Sequence, residues 1–143
     1  MIRGIHHVAV GVADLDAGIE FYVGALGCEL LSRSSLDGTR SAVDHVIGID
    51  GVQADVAMLR FGDAHIELWT YRSPAIVDRV SPANGLGYPH IGLSVSDIDA
   101  EHARLSAAGV VFVGPPVDVG SARAVYGTDP FGNLIELYEA TPR

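Results

Sequence analysis

The sequence predicts an α+β fold built from two tandem β-α-β-β-β modules. Three observations carry that prediction. The chain repeats itself: from His7 it reads H-V-A-V-G-V-A-D-L-D and from His90 it reads H-I-G-L-S-V-S-D-I-D, at a constant offset (90 − 7 = 83, 97 − 14 = 83). Each copy ends on a matching apolar strand around a glutamate, Ile66-Glu67-Leu68-Trp69 and Ile135-Glu136-Leu137-Tyr138. Between these points each copy shows one helical pattern followed by several short strand-like runs. Self-similarity of this kind marks a duplicated supersecondary unit.

The elements follow in order. Residues 5–12 are apolar and β-branched and form a first strand. Asp14 is an N-cap for a helix over about 15–26, with Ile19, Phe21, Tyr22 and Leu26 as apolar positions and Gly27 as the stop. Strands over about 28–33, 54–61 and 64–71 complete the first module, at about 4–71. Residues 72–88 hold Pro74, Pro82, Gly85 and Gly87 and join the halves. The second module, at about 88–140, repeats the plan: a strand over 90–95, Asp97 as cap, a helix over about 98–108, Gly109 as stop, and strands over about 110–113, 122–127 and 134–139. The histidine-to-glutamate spacing is 67 − 7 = 60 in the first copy and 136 − 90 = 46 in the second. The first copy thus carries an insertion, placed in 34–53, where Asp37-Gly38 and Ile49-Asp50-Gly51 are turn signals. Long loops of this kind often cover a site.

Composition narrows the function. The 143 residues suit one domain, 1–143, made of two halves sharing a core. A hydrophobic fraction of 48% argues against disorder, and no apolar run reaches the ~18–20 residues of a membrane span. The start, Met1 to His7, is strand-like and too polar for a signal peptide. A net charge of −9 disfavours nucleic acid and anionic membrane as partners. All nine basic residues are arginine, so no lysine is present for Schiff-base chemistry. The single Cys28 excludes an intramolecular disulfide and fits a reducing, cytoplasmic setting.

Strand alternation selects the candidate site. His90, Gly92 and Ser94 share one strand face, and Ile91, Leu93 and Val95 the other, which must meet the helix. His7, Ala9 and Gly11 are the equivalent set, while His6 lies with Val8, Val10 and Val12. Each histidine therefore stands above small side chains that leave room for a ligand. Glu67 and Glu136, flanked by large apolar residues, point to the face opposite their neighbours. A carboxylate there must be paired, protonated or metal-bound. Two His and two Glu brought together by a pseudo-twofold, His7, Glu67, His90 and Glu136, would make a four-ligand metal site. His45, His65 and His102 have no repeat partner and are expected at the surface; His65, two residues before Glu67, is a lesser candidate to support that ligand.

The same residues carry a resemblance. H-V-A-V-x-V-x-D-L-D, F-Y-V-G-A-L-G over 21–27, the I-E-L strands and D-P-F-G-N-x-I-E-L over 129–137 together resemble the vicinal oxygen chelate superfamily, over essentially the whole chain. The resemblance implies two β-α-β-β-β modules forming a half-open curved sheet around a divalent metal in a cleft, held by His7, Glu67, His90 and Glu136. The complete His/Glu/His/Glu set resembles bacterial glyoxalase I. The chain has Trp69-Thr70-Tyr71 where many glyoxalases have Asn-Trp-Gly, which weighs against glutathione. Tyr71-Arg72-Ser73-Pro74 and Gly85-Leu86-Gly87-Tyr88-Pro89-His90 look more like the epimerases. In coenzyme A epimerases a further acid precedes the metal-binding strand; Asp50 lies in that region, although a turn role suits it better.

Two neutral imidazoles and two carboxylates balance one divalent ion, Ni, Co, Mn or Zn, with Fe less suited, and leave positions for substrate oxygens. Such an ion stabilises an enolate and eases removal of the proton beside a carbonyl. Glu136 is the first-choice base and Glu67 the acid that returns the proton. The expected activity is a metal-dependent epimerase or isomerase of a small oxygenated substrate, of the methylmalonyl-CoA or cyclitol-ketone type. Alternatives are glyoxalase I, ring-cleaving oxygen chemistry at His7, His90 and Glu136, and a metal-free binding protein with an aromatic groove around Trp69, Tyr71 and Tyr126. A coenzyme A substrate would need Arg60, Arg72, Arg79 or Arg123 to cluster. Open sheet edges make a homodimer expected.

Overall fold

A computed structural model describes residues 1–39, 41–77 and 82–141; Arg79 lies outside them. The elements are β1 (Val8–Gly11), α1 (Leu15–Gly24), β2 (Glu29–Asp37), α2 (Ser41–Ile47), β3 (Gln53–Phe61), β4 (Ala64–Ser73), β5 (Ile91–Ser94), α3 (Ile98–Ala107), β6 (Val111–Phe112), β7 (Val117–Asp118), β8 (Ala122–Thr128) and β9 (Leu134–Ala140). The chain forms two compact units, Met1–Asp78 and Arg79–Arg143. The fold is α+β, each unit carrying one open sheet, and both units contain the expected β-α-β-β-β path, with α2 added to the first and β7 to the second.

In the first unit the strand order is β1-β4-β3-β2. β1 runs parallel to β4, with Ala9 opposite Glu67, and the other pairings are antiparallel. The helix crossing from β1 to β2 thus sends the chain to the far edge of the sheet, and β4 returns to the middle beside β1. α1 begins where Asp14 accepts the Ala17 N–H at 3.0 Å, and it lays Leu15, Gly18, Phe21 and Tyr22 on the sheet. The approach is close: a Cβ at Gly18 would lie 3.0 Å from Val12 Cγ2 and 3.4 Å from Leu68 Cδ1. Ile66 and Leu68 are buried on this face, so Glu67 and Trp69 point to the other. Truncating Leu68 to Ala would cost about 2–5 kcal/mol.

The second unit repeats the plan with order β5-β9-β8-β6, β7 pairing to β8. β5 runs parallel to β9, with Gly92 opposite Glu136. Asp97 caps α3 through the Ala100 N–H at 3.0 Å, as Asp14 does for α1. The ladders end alike, Val12 N–H on the Trp69 carbonyl and Val95 N–H on the Tyr138 carbonyl, each at 2.9 Å. The D-P-F-G-N segment is a tight turn into β9. Asp129, buried, accepts the N–H groups of Phe131 and Asn133 and the Asn133 amide, and Gly132 takes φ 86°.

Three features depart from the sequence reading. The paired strands begin at Val8 and Ile91, so each histidine stands just before its parallel ladder rather than within it. The strand over 110–113 shortens to β6, and β7 is added. In the 34–53 insertion β2 runs on to Asp37 and α2 follows over Ser41–Ile47. Val43, Ile47 and Ile49 pack on a cluster of Leu36, Val52, Ala54 and Val56, together with Trp69 and Tyr71. Asp44 ties the returning loop by accepting the Gly51 and Val52 N–H groups at 2.8 and 3.0 Å. Asp50 is exposed in the turn before Gly51.

Candidate functional site

The structure brings the four expected ligands together as two pairs, one in each unit. His7 Nε2 lies 3.5 Å from Glu67 Oε2, and His90 Nε2 lies 3.3 Å from Glu136 Oε2. The glutamate side chains are 19% and 20% exposed and the histidines 39% and 28%, so each pair is half-sunk but open to a ligand. Among the described residues no third His, Cys, Asp or Glu side chain joins either pair as a metal cluster.

The pairs are equivalent because the backbone repeats. Each histidine precedes a short strand, each glutamate sits on the parallel partner, and the residue opposite the glutamate is small, Ala9 or Gly92. A Cβ at Gly92 would lie 3.5 Å from Glu136 Oε2, so glycine leaves the carboxylate room.

The spacing fits a shared ion. An N–H···O bond is normally about 2.7–3.2 Å, and both gaps are longer. Ligand atoms about 2.0–2.2 Å from one ion sit roughly 3.0 Å apart at a right angle and roughly 3.4 Å apart at the tetrahedral angle. Imidazole nitrogen and carboxylate oxygen also form the donor set that first-row divalent ions accept.

The surroundings of the pairs differ. The Trp69 indole N–H donates to Glu67 Oε2 at 2.7 Å, and its ring stacks on Tyr71 with centroids 5.2 Å apart. Burial pushes the Tyr71 hydroxyl pKa up, and the Glu67 charge adds to the rise. His7 Nδ1 lies 2.9 Å from His6 Nδ1. In the second unit the Tyr126 ring packs on His90 at 4.9 Å, while His90 Nδ1 is buried without a partner.

The remaining histidines split. His45 is exposed, as expected. His65 is half-buried, stacked on His6 at 5.3 Å, with Nδ1 3.2 Å from the His6 carbonyl. His102 is also half-buried, against Phe112 at 4.4 Å and hydrogen-bonded to the Gly114 carbonyl, which marks it as structural. Of the arginines weighed for phosphate binding, the three that are described are engaged elsewhere. Arg60 pairs with Glu29; Arg72 pairs with Asp55 and donates to the Leu36 carbonyl at 2.9 Å; Arg123 forks onto Asp99 at 2.6 and 2.8 Å. Cys28 is buried, and that burial pushes its thiol up to about 11, which removes it as a nucleophile. Among the described residues no helix is long and apolar enough to cross a membrane.

Comparison with known proteins identifies the family and the fold. The sequence model of the Glyoxalase/Bleomycin resistance protein/Dioxygenase superfamily matches residues 4–137. A 2-epi-5-epi-valiolone epimerase from Actinomyces sp is 31% identical over 141 residues, covering 93% of this chain and 77% of that protein. A lactoylglutathione lyase from Haemophilus influenzae is 34% identical over 137 residues, covering 94% of this chain and 91% of that protein. Among solved structures, a glyoxalase family protein from Bacillus cereus superposes with a TM-score of 0.88 at 28% identity, covering 99% of this chain and 97% of that one.

Proposed function

The chain belongs to the Glyoxalase/Bleomycin resistance protein/Dioxygenase superfamily, and from that premise we propose that it is a metal-dependent epimerase of a small hydroxyketone. The observation that carries the reading is the duplicated His–Glu pair, His7 with Glu67 and His90 with Glu136, each at co-ligand spacing. In this reading the two pairs hold one divalent ion, which when bound polarises a substrate carbonyl as a Lewis acid.

The residues then divide the work. The histidines present neutral nitrogen to the ion. Glu136, whose carboxylate meets only His90 among the described residues, takes the proton beside the carbonyl. Glu67, whose Oε2 is occupied by the Trp69 N–H, returns a proton to the opposite face through its other oxygen. The reaction balances: one C–H bond breaks and one forms on the other face, Glu136 then releases its proton to solvent and Glu67 regains one from solvent, and no redox partner is consumed. The aromatic pair Trp69 and Tyr71 gives the substrate an apolar wall with one hydroxyl.

Two observations favour a ketone over a coenzyme A thioester. Arg60, Arg72 and Arg123 are each engaged by a carboxylate of their own unit, and the similar epimerase is named for a cyclitol ketone. A second reading, glyoxalase I chemistry on a glutathione hemithioacetal, is favoured by the 34% identity to a lactoylglutathione lyase. The open sheet edges and the exposed Val111, Val113, Val117 and Val119 support a homodimer.

Proton NMR in D₂O, with 2-epi-5-epi-valiolone and the protein loaded in turn with Ni, Co, Mn and Zn, tests the proposal. Exchange of the hydrogen beside the carbonyl with formation of an epimer supports it. Formation of S-lactoylglutathione without such exchange transfers the site to the second reading. A protein that takes up no metal and turns over neither substrate is a binding protein on this scaffold.

A further inference from the structure

Resting on that reading, we propose that the two halves of the site are unequal: His6, His65 and Trp69 brace the His7–Glu67 pair as the preformed half that captures the ion, and the His90–Glu136 pair is left free to work on substrate. These three are positioning residues, acting through His7 and Glu67.

The bracing reaches both members of the first pair. For His7 to offer Nε2 as a lone pair, its proton must sit on Nδ1. His6 Nδ1, 2.9 Å away, then accepts the hydrogen bond from that N–H and fixes the tautomer. The His6 ring is held in turn, lying parallel to His65 within 10° at 5.3 Å, and His65 Nδ1 reaches the His6 carbonyl at 3.2 Å. On the other side the Trp69 N–H fixes Glu67 Oε2 at 2.7 Å. Trp69 itself stacks on Tyr71 and packs on the same cluster as Val43, Ile47 and Ile49. The insertion present only in the first module therefore bears on a ligand through one indole ring.

The second module serves as an internal control. At the repeat offsets (90 − 7 = 83 and 136 − 67 = 69) the positions of His6, His65 and Trp69 are taken by Pro89, Leu134 and Tyr138. Pro89 and Leu134 have no side-chain hydrogen-bonding atom, and Tyr138 makes no hydrogen bond to Glu136. His90 Nδ1 is accordingly buried without a partner. Duplication gave both halves the candidate ligands; Tyr126 packs on His90, but only the first half carries hydrogen-bonded outer support. An ordered half costs less to bind an ion because its ligands need no further ordering, whereas a base must move between proton and rest positions.

The test is cobalt affinity, measured on the full chain with Co²⁺ alone in competition with a chromophoric chelator. Wild type is compared with His6→Ala, Trp69→Phe and, as control, Tyr138→Phe. His6 is exposed, so its loss leaves the core intact, and Phe at 69 keeps the ring while removing the N–H; matched circular dichroism and melting curves verify both. We expect His6→Ala and Trp69→Phe each to weaken cobalt binding by about 10–100-fold, with Tyr138→Phe unchanged. Trp69 is the chain's single tryptophan, so its fluorescence should respond to cobalt in wild type and lose that response in Glu67→Gln. Wild-type affinity in both His6→Ala and Trp69→Phe, or equal weakening in Tyr138→Phe, overturns the proposal. Failure of the wild type to bind any cobalt overturns the metal reading itself, and is told apart because it appears before any variant is made.

Discussion

Gly92 faces Glu136 across the parallel pairing of β5 and β9, and a Cβ built on it would stand 3.5 Å from the Glu136 carboxylate. That is ordinary contact, so Gly92→Ala should be tolerated. Gly92→Val places a branched group where the carboxylate moves. Displacing a catalytic group by about 1 Å can cost roughly 100-fold. We expect Gly92→Val to fold, by circular dichroism, and to lose activity on that scale. Full activity in Gly92→Val would mean that Glu136 does not work from the face it shares with Gly92.

The two glutamates should separate on substitution. Glu136→Gln removes the assigned base and should lower the rate of hydrogen exchange by about 10²–10⁴-fold. Glu67→Gln should lower metal affinity, since its carboxylate is the one held by Trp69, and when loaded should keep exchange while losing epimer formation, because it removes the acid that returns the proton. Stripping the ion with a chelator should abolish turnover in the wild type, and adding it back should restore turnover. Exchange rates measured beside metal content by mass spectrometry distinguish these effects. The assignment is reversed if Glu67→Gln, fully loaded, loses exchange and Glu136→Gln keeps it.

Much of this arrangement was legible because it is local or duplicated. Asp14 and Asp97 announce their helices by residue type alone, and both do cap. Period-two alternation placed Glu67 and Glu136 opposite the buried isoleucines and leucines. In the insertion the turn glycines, Gly38 and Gly51, dominate the pattern and hide α2. Val43 and Ile47, one helical turn apart before Gly48, were the available sign of α2, and Gly48 does take φ 75°. Contacts made across strands left no such sign. The stacking of His65 on His6, and of His102 on Phe112, depends on pairing and packing that sequence spacing does not encode. The Trp69–Glu67 bond lies between the two cases: residues two apart on a strand share a face, and only geometry shows that they touch.

Acid should weaken the first unit through Asp55. Its hydrogen bond from Arg72 is the main cause holding its pKa below the usual carboxylate value, with Ser35 adding to it. A folded pKa below the unfolded one means that the stabilisation is present above about pH 4 and is lost as pH falls through the lowered value. The pair is partly exposed, so Asp55→Asn should cost only about 0.2–1 kcal/mol at pH 7. Thermal melts from pH 7 to pH 2 should show wild type and Asp55→Asn converging as the pH falls. A constant gap between the two curves would mean that Asp55 contributes packing rather than charge.

Cys28 provides the opposite sign at the alkaline end. Burial without a charged partner raises its thiol to about 11, above the ~8.5 of an exposed cysteine. The folded state therefore favours the neutral thiol, and this contribution is whole below the unfolded value and lost as pH rises toward the folded one. At pH 8 a thiol-specific chromogenic reagent should release almost no colour from the native protein and one equivalent per chain after unfolding in guanidinium. Raising the pH of the native protein from 8 to 10 should speed the reaction only as far as local opening allows. Prompt release of one equivalent at pH 8 from the folded chain would show that the burial around Cys28 opens readily, and the unreactive role given to Cys28 would fall.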